Sequence, residues 1–325
     1  ELYISEVMMK NILIGLVIWT LLGTNYAMAE DIKSSPLKVD AQAPVQSLGL
    51  ATQLRSGFTN DKTELFATYN FGSVWITSDD IQMDYYQNRI TTGVQWSPAD
   101  KVQLEMRYQF AWAHNNHLDS LVKSFHNAAG LKLDGRDEVE DDSFNVDSDT
   151  YGVHNNDFEG DTLESALSLY LQYSLYETEH QALAIGGSLY YNNKSDYEFS
   201  SGGFEQNLQL NWSYAKGGHS IYSTLGVVHH ADKNIDDDLY FKEFTWEGAI
   251  GYGYRFLSNH EIIAEYHLYQ GALNQTAFSE NVNEATLGYR YYWDNTILEI
   301  SGTENLFNMD NSTDIAFTLG LRHYF

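Results

Sequence analysis

Polar and apolar residues alternate with a period of two through most of this sequence. The segment TLESALSLYLQYSLY, from Thr162 to Tyr176, places leucines from Leu163 to Leu175 on one face and mainly polar residues, such as Glu164 and Ser168, on the other. The same pattern recurs in KVQLEMRYQFAW, FEQNLQLNWSY, TWEGAIGYGYRF and EATLGYRYYW. Such alternation is typical of β-strands with one apolar face. After Glu30 no apolar run approaches the length of a membrane-spanning helix, so any insertion into a membrane must use strands.

The links between these strands distinguish two β folds, a soluble sandwich and an outer-membrane barrel. In a sandwich the apolar face forms the core, whereas in a membrane barrel it faces lipid and the polar face lines the interior. Short and long links alternate, as in an outer-membrane barrel with short periplasmic turns and long external loops. The short links are 97–100, 177–180, 216–219, 257–260 and 293–296, and the longer, acidic ones are 115–160, 194–202, 231–238, 272–280 and 304–312.

These patterns predict an all-β fold, an antiparallel transmembrane outer-membrane β-barrel of about twelve strands within residues 63–325. An even number of strands places both termini in the periplasm. Aromatic residues of an interfacial girdle lie beside the short turns: Trp96, Trp212, Tyr214, Tyr291 and Trp293. The expected strands are 63–77, 81–96, 101–114, 161–175, 180–193, 203–215, 219–230, 239–256, 260–271, 281–293, 296–303 and 313–325.

The N-terminal 29 residues have the pattern of a secretory signal peptide. Lys10 precedes the apolar run ILIGLVIWTLLG, and Ala27-Met28-Ala29 ends the stretch as a cleavage motif. Residues 1–7 resemble an upstream extension of a start at Met8 or Met9. We expect residues 30–62 to form a segment that lies either in the periplasm or within the lumen. The predicted location is the outer membrane of a Gram-negative bacterium.

The composition limits the partners. With 45 acidic and 18 basic residues the formal charge is −27, which argues against nucleic-acid binding. Cysteine is absent, which excludes disulfides and thiolate metal sites. No cofactor and no metal is expected. The expected partners are outer-membrane lipid and lipopolysaccharide, the barrel assembly machinery and small polar solutes.

The last thirteen residues, TDIAFTLGLRHYF, alternate in the same way and end on an aromatic residue. They resemble the C-terminal insertion signal of outer-membrane barrels in Gly320, Leu321 and Phe325, although His323 stands where that signal usually has an aromatic or apolar residue. In a barrel this last strand pairs with the first, so that no edge remains.

The segment HLDSLVKSFHNAAGLKLDGR, from His117 to Arg136, together with the C-terminal segment, resembles an outer-membrane β-barrel family, domain of unknown function 3187. The matching residues are Leu118, Asp119, Phe125, His126, Gly130, Leu131 and Arg136. Lys132 replaces the proline of that family. The resemblance implies the fold and the location but no chemistry.

Helical spacing of apolar residues between 117 and 130 predicts one short amphipathic helix in the longest external loop, with Gly130 as its C-cap. Three positions remain open: a lid on the rim, a constriction inside the lumen, or a helix on the outer leaflet. The acidic stretch after it contains Asp147, Asp149 and Gly152 at spacings of a calcium loop, but Tyr151 and Phe158 occupy ligand places. Binding of divalent ions that bridge lipopolysaccharide phosphates is the looser alternative.

Charged residues on the polar faces are predicted to line the lumen. They are Glu105, Arg107, Glu164, Glu205, Glu243, Glu247, Arg255, Glu261, Glu265, Arg290, Glu299 and Arg322. They fit either a barrel filled by paired side chains or a polar passage with a mild preference for cations. The predicted function is porin-like passage of small polar solutes, with a surface structural or adhesive barrel as the alternative.

A second alternative is an outer-membrane hydrolase, because several histidines map to the external rim. They are His114, His117, His126, His229 and His230, with Asp232 nearby. No nucleophile motif accompanies them, so no catalytic residue is assigned and enzymatic activity remains open.

Overall fold

Long antiparallel strands form most of the computed structural model, which describes residues 34–116, 143–194, 199–200, 202–231, 234–235, 238–307, 311, 313 and 315–325. Within these residues twelve strands close a barrel, as predicted from the alternation. In chain order the strands are β1 (Glu64–Thr77), β2 (Gln82–Ala99), β3 (Val102–Ala113), β4 (Asn145–Ser148), β5 (Val153–Asn156), β6 (Thr162–Glu177), β7 (Gln181–Asn192), β8 (Gly203–Lys216), β9 (His219–His229), β10 (Phe244–Phe256), β11 (His260–Tyr269), β12 (Val282–Trp293), β13 (Thr296–Phe307) and β14 (Ile315–Tyr324).

The barrel closes where β14 pairs with β1, in a register that sets Tyr324 opposite Glu64 and Ile315 opposite Ser73. Strand β1 also pairs with β2, so that each of the twelve strands has two neighbours. The backbone N–H of Phe325 donates to the carbonyl of Thr63 at 2.9 Å, which fixes the chain end at the seam. We call the end with the short turns the periplasmic end and the opposite end the outer end, following the orientation of outer-membrane barrels.

The two faces of the wall differ as the alternation predicts. On β6, Leu167, Leu169 and Leu171 are about half exposed, whereas Ser168 and Gln172 are buried in the interior. Leu163 differs from the prediction, because it is buried with Glu164 instead of lying on the exposed face. The pairing of β6 with β3 shifts between Ala111 and Trp112, and this irregularity changes the face on which the start of β6 lies.

The outer end carries structure that the alternation did not predict. Strands β4 and β5 form a hairpin whose first strand pairs with the start of β2, so the sheet continues beyond the barrel rim. Strand β10 begins at Phe244 instead of residue 239, and Ala277–Ser279 form a 3-10 turn. Among the described residues the one α-helix is α1 (Pro44–Ser47), and no described helix is long and apolar enough to cross a membrane.

The predicted loop helix at 117–130, and with it Leu118, Asp119, Phe125, His126, Gly130, Leu131 and Arg136, lies outside the described residues. The predicted signal peptide, residues 1–29, does so as well. Both therefore stay predictions.

A candidate functional site in the barrel lumen

Residues 34–62, which we call the plug, run through the barrel interior. The hydroxyl of Ser34 hydrogen-bonds to Glu261, at the periplasmic end of β11. The Nε2 atom of Gln46 donates to the carbonyl of Gln270, just beyond the outer end of the same strand, at 3.4 Å. These two wall residues are nine positions apart, which corresponds to about 30 Å of strand and to the thickness of a bilayer core.

The chain then turns and runs back to the periplasmic end. The backbone N–H of Leu50 donates to Glu205 at 2.6 Å, and that of Gly57 donates to the Ser213 hydroxyl at 2.8 Å. Ser97, in the turn between β2 and β3, donates to the carbonyl of Asn60 at 2.7 Å. The plug is therefore a re-entrant hairpin with an ascending limb (34–43), helix α1 at its tip and a descending limb (48–62).

The tip of the plug packs into an apolar cluster that we call the outer cap. Val45 and Leu48 of the plug are buried there with aromatic residues from the outer loops. Rings of Phe199 and Phe278 lie 5.4 Å apart between centroids, and those of Tyr86 and Phe144 lie 5.7 Å apart. Leu48 is fully buried in this cluster.

Two arginines anchor the plug at the periplasmic end. Arg290 pairs with Glu261 at 3.0 Å and with Glu299 at 2.5 Å. Arg322 pairs with Glu64 at 2.8 Å and with Glu299 at 3.3 Å, across the seam of the barrel. Both arginines also donate to the carbonyl of Pro36, at 3.2 and 3.1 Å. One network thus closes the seam and holds the point where the plug enters.

A second charged network joins the two limbs of the plug to β3. Glu105 accepts from Lys38 of the ascending limb at 2.5 Å and from Arg55 of the descending limb at 2.8 Å. Arg107 on the same strand pairs with Asp40 of the plug at 2.6 Å. A cavity remains between the limbs and this wall, open at the periplasmic end. The buried carboxylate of Glu105 is thus compensated by two cations of the plug, so this contact depends on the side chains of Lys38 and Arg55.

Most residues predicted for the lumen lie on the inner face. Glu105, Arg107, Glu164, Glu247, Glu261, Glu265, Arg290 and Arg322 are buried there. Arg255 is half-buried with its guanidinium 3.9 Å from the ring centre of Tyr292. Glu243 differs, because it precedes the observed start of β10, is exposed, and so does not face the lumen.

Three lumen residues escaped the sequence prediction: Glu64, Arg89 and Glu284. Arg89 lies 3.1 Å from Glu164 and donates to the carbonyl of Ser47, at the plug tip. Glu284 accepts from the backbone N–H groups of Gln42 and Ala43 at 2.8 and 2.9 Å. Extending the alternation of β12 from Arg290 back to its start would have found Glu284.

The C-terminal residues predicted as an insertion signal lie on β14 and directly after it. Leu321 and Phe325 are exposed on the outer face, by 47% and 67%. Gly320 faces inward, where an added Cβ would lie 3.0 Å from the Glu299 carboxylate. The role of these residues in insertion stays a prediction.

The rim histidines do not assemble into one site. His114 lies 3.1 Å from Glu159 at the surface, whereas His117, His126 and Asp232 lie outside the described residues. His230 is buried between Glu205, 3.0 Å from Nδ1, and the Thr245 hydroxyl, 2.8 Å from Nε2. This sequence of a carboxylate, an imidazole and a hydroxyl resembles the catalytic triad of a hydrolase. Thr245, however, lies within a strand and is only 1% exposed, so a substrate cannot reach its hydroxyl.

The outer hairpin brings together Asp147, Asp149 and His154, whose potential ligand atoms lie within 4.8 Å of one another. The Nδ1 atom of His154 lies 2.6 Å from Asp147 and is hydrogen-bonded to it. The three side chains are largely exposed, and Asp149 almost completely. Such an exposed group offers carboxylate oxygens from two residues and a ring nitrogen, whereas calcium takes six or more oxygen ligands, and so it is not a formed calcium site.

Comparisons with known proteins agree with this architecture. Residues 12–325 match the profile of a family described as "Protein of unknown function (DUF3187)". No curated protein matches the sequence significantly. The solved "COG4313 outer membrane channel from Pseudomonas putida F1" is similar with a TM-score of 0.51 at 11% identity, over 82% of this chain and 97% of that one. The NanC porin has a TM-score of 0.46 at 8% identity, over 80% and 98% of the two chains. The likeness to the channel shows that the fold is that of an outer-membrane β-barrel.

Proposed function

This chain belongs to the DUF3187 family of proteins of unknown function, and we propose that it is an outer-membrane channel for small polar solutes that its own plug holds closed. One observation supports the proposal: the lumen is occupied by the segment that precedes β1, which only non-covalent contacts hold in place, and not merely by wall side chains that pack on one another. A segment held in this way can withdraw while the twelve-stranded wall stays intact. We place the protein in the outer membrane of a Gram-negative bacterium, in contact with lipid and lipopolysaccharide after insertion by the barrel assembly machinery.

The inner wall has the chemistry of a polar passage. Among the described residues of the strands, nine buried glutamates face the interior against four buried arginines: Glu64, Glu105, Glu164, Glu205, Glu247, Glu261, Glu265, Glu284 and Glu299, with Arg89, Arg107, Arg290 and Arg322. Asparagine, glutamine, serine and threonine occupy many of the remaining inner positions. Without the plug, water would hydrate this surface, and its excess of carboxyl groups would favour cations.

The outer cap favours a second candidate function, a permanently closed structural barrel. The apolar cluster joins the plug tip to several outer loops, and opening the barrel would expose its aromatic residues to water. A structural or adhesive barrel has no need to open. Conductance distinguishes the two functions, because only a channel has a wall that conducts once the plug is removed.

The direct test compares the full chain with a plugless barrel, a variant that begins at Asp61. Both are refolded and inserted into planar lipid bilayers. We expect the full chain to be closed or to open rarely, and the plugless barrel to show stepwise conductance at least severalfold higher. Absence of conductance from a plugless barrel with a native-like circular dichroism spectrum would refute the channel and leave the structural barrel.

A reversible tether tests the same proposal in the full chain. An added Cβ at Gly226 would lie 2.7 Å from the Thr52 hydroxyl, so Thr52→Cys with Gly226→Cys brings two thiols together in a chain that has no other cysteine. In urea too dilute to unfold the strands, we expect the reduced protein to open and the oxidised protein to stay closed. Thr52→Cys alone is the matched control and should not respond to oxidation.

A further inference from the structure

The wall binds the plug mainly through the plug's backbone. Within the described residues, at least eight plug N–H groups donate to wall side chains, and five of them donate to four lumen glutamates. These eight donors are Leu37 to Glu265, Gln42 and Ala43 to Glu284, Leu50 to Glu205, Thr52 to Glu247, Arg55 to Thr224, Gly57 to Ser213 and Thr59 to Glu177. Six of these eight bonds, at 2.7 to 3.1 Å, have the distances of well-formed hydrogen bonds, and those of Leu50 and Thr52 are shorter.

The plug's carbonyl groups are held in a complementary way by wall donors. These carbonyls are Ser35 with Arg290, Pro36 with Arg290 and Arg322, Gln42 with Thr313, Ser47 with Arg89, Leu48 with Ser200, Gln53 with Gln209, Ser56 with Gln172 and Asn60 with Ser97. Wall groups that accept hydrogen bonds and wall groups that donate them thus recur along the plug. They lie where its extended backbone presents N–H and C=O groups.

Several of the plug's own side chains add to this binding. Lys38, Asp40 and Arg55 form ion pairs with the wall, and their pattern of two positive charges and one negative charge offsets part of the excess of wall glutamates. Polar side chains of the plug also hydrogen-bond to the wall: Ser34 with Glu261, Ser35 with Arg322, Gln46 with Gln270, Ser47 with Gln87 and Thr52 with Asn207. At two apolar plug residues the wall provides room. An added Cβ at Gly251 or Gly288 would lie 2.8 or 2.6 Å from the side chains of Leu54 and Leu37.

Withdrawal of the plug leaves these wall groups without their partners. Hydrogen-bond donors and acceptors that lose a partner in a confined space must be hydrated or bind an equivalent ligand. Another extended peptide has the same sequence of N–H and C=O groups, because the backbone is common to all peptides. An oligosaccharide presents hydroxyl groups instead, without this fixed alternation of donors and acceptors.

We infer that the open lumen binds extended oligopeptides through their backbone, and that neutral or basic oligopeptides are the polar solutes this barrel takes. The inference rests on the proposed channel, whose lumen must first be vacated. Basic or neutral peptides are favoured because the wall carries nine buried glutamates and four buried arginines. In the closed barrel the plug then occupies the same path that the solute follows in the open barrel.

Backbone methylation tests the inference, with the plugless barrel as receptor. The probe is a synthetic peptide of residues 34–58, added from the periplasmic side of the bilayer. We expect this peptide to block the conductance. A scrambled peptide of the same composition should block at a concentration within about tenfold of that of the native peptide. A peptide N-methylated at Leu37, Gln42, Leu50 and Thr52 loses four wall bonds and should block at least tenfold less well. N-methylation at Lys38 and Gln53, whose N–H groups have no wall partner among the described contacts, is the matched control.

A binding measurement separates failure of this inference from failure of the channel. Fluorescence anisotropy of the labelled peptide with the plugless barrel in detergent requires no conductance. Binding that is weakened by methylation at the four wall-bonded positions supports backbone recognition by the lumen even where conductance is absent. In that case the channel, and with it the passage of peptides, is refuted. Binding that is insensitive to methylation, binding of the native peptide but not of the scrambled one, or equal block by a maltooligosaccharide of similar mass would each overturn it.

A full-length variant covers the case in which the plugless barrel does not fold. Thr52→Cys places a single thiol on the buried descending limb of the complete chain. We expect an excess of the 34–58 peptide to displace the plug and to accelerate the labelling of this thiol by a maleimide severalfold. The peptide methylated at the four wall-bonded positions should not do so, and equal acceleration by both peptides would contradict backbone recognition.

Discussion

Leu169 lies on the outer face of the wall, where it pairs across the sheet with Met106 and Leu189 and exposes 47% of its surface. In a bilayer this face contacts hydrocarbon. We expect Leu169→Arg to lower the unfolding free energy by about 2–4 kcal/mol, the cost of a lipid-facing arginine near the midplane. Leu169→Phe should be nearly neutral. Urea unfolding in lipid vesicles, followed by tryptophan fluorescence, measures both, and equal effects would contradict a lipid-facing position.

Glu284 holds the ascending limb just below its tip, since one of its carboxyl oxygens accepts from the N–H groups of both Gln42 and Ala43. Glu284→Ala leaves these two donors unpaired, at a cost of about 1–3 kcal/mol each. A single cysteine in place of the buried Ser47 reports on plug seating by its rate of maleimide labelling. We expect Glu284→Ala to accelerate labelling about tenfold or more. Glu179→Ala, at an exposed turn, should leave the rate unchanged, and an unchanged rate in Glu284→Ala would show that Glu284 does not anchor the plug.

His230 makes the outer end sensitive to pH. Burial lowers the pKa of His230, but its hydrogen bond to Glu205 and the charges of Glu205 and Glu247 outweigh this, so the pKa is raised above its ordinary value. A raised folded pKa stabilises the protein fully below about pH 6.5, and this contribution is lost as the pH rises through the folded value. The difference in unfolding free energy between wild type and His230→Gln should therefore shrink as the pH rises above about 6.5.

At the scale of the strands, the alternation was sufficient to predict the barrel, because each wall residue faces either lipid or the interior. The alternation mispredicted a residue where an irregular strand pairing changes the face of the wall on which that residue lies. Leu163 shares the parity of Leu167, yet the irregular pairing near Ala111 turns it inward. The hairpin of β4 and β5 was not predicted, since its four-residue strands are too short for a period of two to be recognised.

The seam between β1 and β14 depends on Arg322. Its guanidinium pairs with Glu64 on β1 and with Glu299 on β13, and all three side chains are nearly inaccessible to solvent. Arg322→Ala removes the closest cation from the buried Glu64 and one of the two guanidinium groups that pair with Glu299, and we expect a loss of about 3–5 kcal/mol in unfolding free energy. Arg322→Ala combined with Glu64→Gln should be less destabilised than the single variant. The temperature at which the folded form unfolds on semi-native gels ranks the variants, and equal temperatures would refute this role of the ion pairs.

For the whole molecule, the path of the plug was the part that sequence reasoning left open between periplasm and lumen. Residues 34–62 have one alternating stretch, from Leu37 to Val45, and five charged residues, at Lys38, Asp40, Arg55, Asp61 and Lys62, and neither feature distinguishes a periplasmic segment from one inside the lumen. The contacts that hold the plug are made largely by its backbone, which is the same in every polypeptide. No side-chain pattern in the sequence therefore predicts them. The wall glutamates, by contrast, were predicted as lumen residues without any indication of what fills the space between them.

Ion selectivity of the plugless barrel tests the charge balance of the whole lumen. Because nine buried glutamates face four buried arginines on the strands, we expect a reversal potential of the sign for cation preference in a potassium chloride gradient. Glu265 and Glu284 lose their plug N–H partners on deletion and face the water of the pore. Glu265→Gln with Glu284→Gln should move the reversal potential toward zero, and more so at low salt, where charges are less screened. Asp149→Asn with Glu159→Gln removes the same charge at exposed outer positions and should have little effect. Anion preference, or an equal shift from both pairs, would show that the inner glutamates do not set the selectivity.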